Sequence, residues 1–159
     1  MAFGQPKSRA GITLIEVMAA IVIIAIAVLG ASAYRYYATL DGRKAVLQST
    51  AARIALLLNE NWRGRGYDHV ADFNPVSHLS SDIAIVVSGI GPAYATGFTG
   101  LNRYKITVND SRFWAALSYR TDSADLRTLN TVVAWAERPS GADDISMPKT
   151  FRLTTFVAQ

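Results

Sequence analysis

One carboxylate stands inside the most apolar stretch of this chain. Glu16 is the only charged residue between Arg9 and Arg35, and the 22 residues from Ile12 to Ala33 are otherwise apolar or small. An acidic residue in hydrocarbon costs on the order of 2.5–3.5 kcal/mol at the centre of a span and less near an end, so it needs a cation. No Lys or Arg lies at helical spacing on the same segment; the nearest cations are Lys7 and Arg9, or a group on another molecule. The other residues that could do chemistry point to none. Asp68, His69, Asp72, Asn74 and His78 carry metal-ligand atoms, but their spacing matches no standard site. Asp143-Asp144 is a pair of carboxylates without the further oxygens of a calcium cage. Ser, His and Asp occur without a nucleophile elbow. Gly89-Ile90-Gly91 opens no helical pattern and so is no nucleotide-binding turn. With no cysteine in the chain, disulfides, thiolate metal sites and cysteine nucleophiles are excluded. The pattern supports no enzyme, metal or cofactor.

What must position Glu16 is a helix. The Ile12–Ala33 run contains no proline. At 1.5 Å per residue it spans roughly 33 Å, close to the ~30 Å of a bilayer core. Its many β-branched residues are no obstacle in lipid, where backbone satisfaction dominates. Residues 1–11, MAFGQPKSRAG, have no apolar face and read as a processing or topology segment. Three fates fit the segment by itself: a plain anchor, a buried core helix, which its length disfavours, or a secretory signal cut after Ala33, where Ala31-Ser32-Ala33 fits the cleavage pattern. Against the last, the run exceeds a usual signal h-region, contains Glu16, and continues in helical pattern beyond Ala33.

Gly11-Ile12-Thr13-Leu14-Ile15-Glu16-Val17, behind a basic leader and ahead of an unbroken apolar run, resembles the processing motif of type IV prepilins and pseudopilins. The resemblance implies that a prepilin peptidase cuts after Gly11 and that the new terminus, Ile12, is N-methylated. It implies that Glu16 pairs with the terminal amine of a neighbouring subunit during assembly. Ile12 stands where Phe is commonest in that family. The implied location is a single-pass inner-membrane protein with a periplasmic C-terminal head, and then a pilus or pseudopilus. The implied partners are the peptidase, other pilin or pseudopilin subunits and an inner-membrane assembly platform. The charges do not set the orientation, because Lys7 and Arg9 on one side are balanced by Arg35, Arg43 and Lys44 on the other.

Beyond Ala33 the helical period persists while the composition changes. Tyr37, Leu40, Leu47, Ala51, Ile54 and Leu58 keep three-and-four spacing, and Arg43, Lys44, Gln48, Arg53, Asn59 and Glu60 take other faces. Tyr34, Tyr36 and Tyr37 fit a membrane-interface belt. Arg63-Gly64-Arg65-Gly66 is the expected stop. Glycines at 30 and 42 are where the helix would break if anchor and amphipathic helix were independent. Residues 64–100 are rich in loops, with one short β-like run at Ile83–Val87. Alternating runs then follow: Arg103–Asn109, Phe113–Tyr119, Leu129–Trp135 and Phe151–Val157. Asn109-Asp110-Ser111 reads as a hairpin turn and Thr121–Asp125 as a polar turn. Val132-Val133-Ala134-Trp135, followed by Phe151-Arg152-Leu153-Thr154-Thr155, resembles the closing strands of minor pilins and I-type pseudopilins.

The expected fold is therefore α+β. A long N-terminal helix, apolar in its first half and amphipathic in its second, packs on an antiparallel sheet of about four strands. The other face of that sheet is expected to meet water. The expected divisions are a leader (1–11), a transmembrane or filament-core half (12–33), an amphipathic half (34–63) and a β-rich head (64–159). Lys and Arg number 16 against 12 Asp and Glu. Removing residues 1–11 takes Lys7 and Arg9 and leaves 14 against 12, too slight an excess to point to nucleic acid. Arg63 and Arg65 with Tyr67 read as a helix-end loop, and Trp62, Trp114 and Trp135 as core or interface.

Overall fold

The computed structural model describes residues 13–77, 83–136 and 149–159. One helix, α1 (Leu14–Arg63), is followed by two single 3-10 turns and five strands: β1 (Ala84–Val87), β2 (Thr99–Val108), β3 (Ser111–Ser123), β4 (Leu126–Trp135) and β5 (Lys149–Ala158). The chain divides into two units, Met1–Arg43 and Lys44–Gln159.

In the first unit every described residue up to Thr39 is exposed. The apolar side chains lie open all round: Leu14 is 80% exposed and Leu29 is 71% exposed. Such a surface is at odds with water and suited to lipid or to other helices. The helix passes through both Gly30 and Gly42 without a break. Its few hydroxyls bond back into the same helix, Ser32 Oγ to the Val28 carbonyl and Thr39 Oγ1 to that of Arg35, both at 2.8 Å. This is how a polar side chain is satisfied where water is absent.

In the second unit the helix buries one stripe: Ala51, Ile54, Ala55, Leu58, Asn59 and Trp62. The three-and-four spacing read from the sequence thus faces a core. The helix ends where expected. The Gly64 N–H still reaches the Glu60 carbonyl at 2.9 Å, and Gly66 turns the chain away at φ 81°, in the left-handed region that favours glycine.

The sheet is an antiparallel meander, β1-β2-β3-β4-β5. The strand beyond the expected four is β1, the short run at Ile83–Val87, which pairs with β2 from Ala84↔Thr107 to Val87↔Tyr104. Asn109 and Asp110 adopt φ 47° and 61° between the paired Val108 and Ser111, a two-residue hairpin of the type whose twist matches the strands. Strand β3 runs on to Ser123, into the stretch expected as a turn. The Asp122 carboxylate explains this. It accepts from the Thr128 hydroxyl across the hairpin and from Arg120 Nε at 2.6 Å, so it holds the last pairs together. These bonds hold the Asp122 carboxyl below its ordinary value, the Thr128 bond foremost and then Arg120. Because the folded group is the more acidic one, the stabilisation is complete above the ordinary aspartate range and is lost as pH falls through the depressed folded value. The protection factors of the β3–β4 tip amides should therefore fall in acid before those of the sheet centre, and Asp122→Asn should make the protection of the tip insensitive to pH over the same range.

The core lies between the helix stripe and the face of the sheet carrying Tyr104, Ile106, Phe113, Leu117, Leu129 and Val133, all at most 1% exposed. The far face departs from expectation. On β3 and β4 it is buried too, at Trp114, Ala116, Ser118, Thr128, Asn130, Val132 and Ala134. Part of the cover is the segment between β1 and β2. Arg103 stacks its guanidinium 4.4 Å from the Tyr94 ring and donates to the Pro92 carbonyl at 3.2 Å, and Arg120 stands over the Phe98 ring. Toward both edges this face opens, at Ala84 and Val86 on β1 and at Arg152, Thr154 and Phe156 on β5. Alternation in β3 and β4 could not show this, because Ala, Ser and Thr serve equally well on a wet face and under a covering loop.

Gly100 is the seat of that cover. A Cβ there would lie 2.4 Å from Tyr94 Cε2. Gly100→Ala must expel the ring and break its stacking on Arg103, a cost of about 1–3 kcal/mol. Tyr94→Ala in the same chain should relieve the clash, and the pair should be non-additive in chemical denaturation.

Candidate assembly site at the start of the helix

The first turn of α1 is built around the Glu16 carboxylate. Thr13 occupies the N-cap position and Glu16 the third helical position. The Thr13 N–H donates to Glu16 Oε2 at 2.9 Å, and the Thr13 hydroxyl donates to the same oxygen at 3.0 Å. The Thr13 carbonyl opens the helix ladder, accepting from the N–H groups of Glu16 at 3.1 Å and Val17 at 3.3 Å. The first N–H groups of a helix have no intrahelical acceptor. A Glu three residues past a Thr can reach back to one of them, which is half of a capping box. The positive end of the helix dipole favours an anion at the same place.

This arrangement tempers the anomaly of an acid in an apolar run. The carboxylate is held by two donors of its own chain, both on Oε2, and sits at an end of the apolar stretch, where its cost is lowest. From Glu16 to Tyr34 the helix rises about 27 Å, so the carboxylate and the tyrosines lie near opposite ends of a bilayer-thick segment. Tyr34, Tyr36 and Tyr37 are 75%, 62% and 64% exposed, and the last two meet edge to face at 5.8 Å. Thr13 is the partner that reading Glu16 as a lone charge overlooks. The Thr-x-x-Glu spacing was the available signal.

The remaining sequence-level candidates resolve individually. Gly11 and Ile12 lie outside the described residues, as do His78 and Asp143-Asp144. Asp68 and His69 sit on a 3-10 turn, and Asn74 accepts from the Val76 N–H at 3.1 Å, a local turn contact. Among the described residues no three His, Asp or Glu side chains come together as a metal site. The Gly89–Gly91 turn packs on Arg103, whose Cδ would be 3.2 Å from a Cβ at Gly91, and the Gly89 carbonyl accepts from that guanidinium at 3.5 Å. Arg63 and Arg65 are exposed at the helix end. Trp62 and Trp135 are in the core, and Trp114 is buried on the far face of the sheet. Tyr67 donates its hydroxyl to the Ala124 carbonyl and carries the Arg127 guanidinium 4.1 Å above its ring, tying the end of the helix to the β3–β4 hairpin.

Among the described residues one helix is long and apolar enough to cross a membrane, and it fits a single-pass inner-membrane protein. No curated protein and no solved structure matches the chain. The family model that does match spans residues 6–32, with Glu16 and its capping Thr13 inside it: over that stretch the chain carries the prokaryotic N-terminal methylation motif, the prepilin-type signature.

Proposed function

We infer that this chain is a structural subunit, a minor pilin or pseudopilin, of a type IV pilus or a type II secretion pseudopilus. The observation that carries the reading is the methylation motif running directly into a helix whose apolar surface is exposed on every side. In this reading residues 1–11 are a leader removed by a prepilin peptidase after Gly11, and Ile12 becomes the methylated first residue. Residues 12–33 hold the subunit in the inner membrane and then form filament core. Residues 34–63 carry the head, 64–159, in the periplasm. Glu16 pairs with the terminal amine of a neighbouring subunit. Each charge alone is costly in lipid; together they offset one another and fix the stacking register. The minor or pseudopilin assignment is supported by the absence of cysteine, since many major pilins carry a Cys pair, and by the likeness of the closing strands.

The intact mass of the mature chain tests this. Loss of residues 1–11, with or without one added methyl group, is the expected result. Loss of residues 1–33 would instead make the chain a secreted domain, and no loss would make it a plain anchored protein. The unbroken helix through Ala31-Ser32-Ala33, with Ser32 bonded back to Val28, favours the first outcome, because a signal peptidase needs its site extended.

A further inference from the structure

The apolar run of α1 begins on an acid and ends on cations that share one side of the helix. Arg35 and Arg43 are both exposed. Thr39 stands between them at the same four-residue spacing, its hydroxyl bonded to the Arg35 carbonyl at 2.8 Å. Residues four apart follow one another up one side of a helix. The acid nearest to them is Asp41, alone between Glu16 and Glu60. At about 100° per residue it lies roughly 120° or more round the helix from either arginine, so it does not interrupt their stripe.

Depth fixes what this stripe meets. The span is long enough for a bilayer, Tyr34 stands about 27 Å of helix beyond Glu16, and Arg35 is next in line. Its guanidinium therefore lies in the headgroup layer, ~5–8 Å thick on each side of the hydrocarbon. Arg43 is about 12 Å further along. Helical side chains lean toward the N-terminus, and a long cationic stem bends to set its head among the headgroups, so Arg43 leans back toward the same layer. Once residues 1–11 are removed, Lys7 and Arg9 go with them, and every remaining Lys and Arg follows the span. That reverses the usual distribution, in which the cytoplasmic flank is the cationic one. An anion at the head-side surface of the membrane offsets the reversal.

We propose that Arg35 and Arg43 bind the phosphate of an anionic phospholipid in the leaflet where α1 leaves the membrane. The inference goes beyond the subunit reading and rests only on its membrane span. Arginine suits the role, because its planar fork meets a phosphate through two parallel N–H bonds and keeps its charge at any ordinary pH. Phosphatidylethanolamine carries an ammonium beside its phosphate and has no net charge. The arginines should therefore select the anionic lipid over it, by about five-fold for each cation.

The full mature chain is purified in neutral detergent, placed in nanodiscs of equal phosphatidylglycerol and phosphatidylethanolamine, and released into native mass spectrometry, where each retained lipid adds its own mass. Phosphatidylglycerol should be retained over phosphatidylethanolamine by at least about five-fold. The preference should fall to near one in Arg35→Gln/Arg43→Gln and survive for the most part in Arg35→Lys/Arg43→Lys. It should be unchanged in Arg53→Gln, which removes an exposed cation of the second unit. Equal retention by the parent chain overturns the proposal and leaves the subunit reading standing. So does a preference that outlives the double Gln variant or is lost with Arg53→Gln. Retention of soluble glycerol phosphate as strongly as of the lipid also overturns it, since the stripe would then be a site for a free anion. A mature chain without residues 1–33 overturns the subunit reading and this inference together.

Discussion

Glu16→Gln is expected to yield a chain that inserts and loses its leader normally but is depleted at least about tenfold from sheared filaments. Ten-fold is the equivalent of roughly 1.4 kcal/mol, below what breaking a buried ion pair usually costs. The amide isolates charge from capping. Gln serves the reach-back bond of a capping box as Glu does, so the contact from the Thr13 N–H, 2.9 Å in the parent, has an acceptor in the variant. What the variant lacks is the negative charge that a neighbour's amine would meet. Glu16→Leu should fail equally in assembly while entering the membrane at least as well, because the carboxylate's cost in lipid is gone. Thr13→Val, which deletes only the hydroxyl contact on Oε2, should lower assembly far less. Immunoblots of sheared and membrane fractions separate these outcomes. Normal filaments from Glu16→Gln would mean that the carboxylate is a cap and nothing more.

The largest stability loss should come from Trp62. It is fully buried, stacks on Phe73 with ring centres 5.7 Å apart, and donates its indole N–H to the Val70 carbonyl at 2.9 Å. It pins the segment after the helix to the helix's own last turn. Trp62→Ala should cost about 3–5 kcal/mol, a large share of the ~5–15 kcal/mol that a domain of this kind possesses. Trp62→Phe keeps most of the ring but leaves the Val70 carbonyl without its donor, for about 1–3 kcal/mol. Denaturant unfolding of the detergent-solubilised chain, followed by near-ultraviolet circular dichroism, checks both. Leu56, half exposed on the same helix, is the control; Leu56→Ala should change stability by less than about 1 kcal/mol.

Period and composition were enough for the helix, because its two halves obey rules that need no partner. The first half is apolar all round, and a segment of that kind has few ways to satisfy its backbone except as a helix. The second repeats at three and four. The four long strands and the Asn109-Asp110 hairpin were legible for the same reason, since alternation and turn chemistry are local. The motif around Glu16 was legible as a string. What the string did not disclose was the hold of Thr13 on that carboxylate, since a lone acid and a capped one are spelled alike until the first helical turn is formed.

Three matters were decided by tertiary structure alone. Part of the cover over the far face of β3 and β4 is the preceding loop, which Arg103 holds through Tyr94 and the Pro92 carbonyl. That contact joins residues whose types suit a loop and a strand without requiring each other. Strand β3 continues to Ser123 because Thr128 donates across the hairpin to Asp122, which Arg120 of the same strand also holds; the cross-strand bond exists only once the register is set. The run at Ile83–Val87 became an edge strand because β2 offered it an open side. Four residues carry too little periodicity to specify a strand, and the backbone pairs that hold it come from another part of the chain. The sequence by itself determined the membrane-length helix, the prepilin-type signature and the alternating strands. The folded chain alone decided which faces are dry and which strands lie at the edges, because those depend on side chains that meet only after distant segments pack.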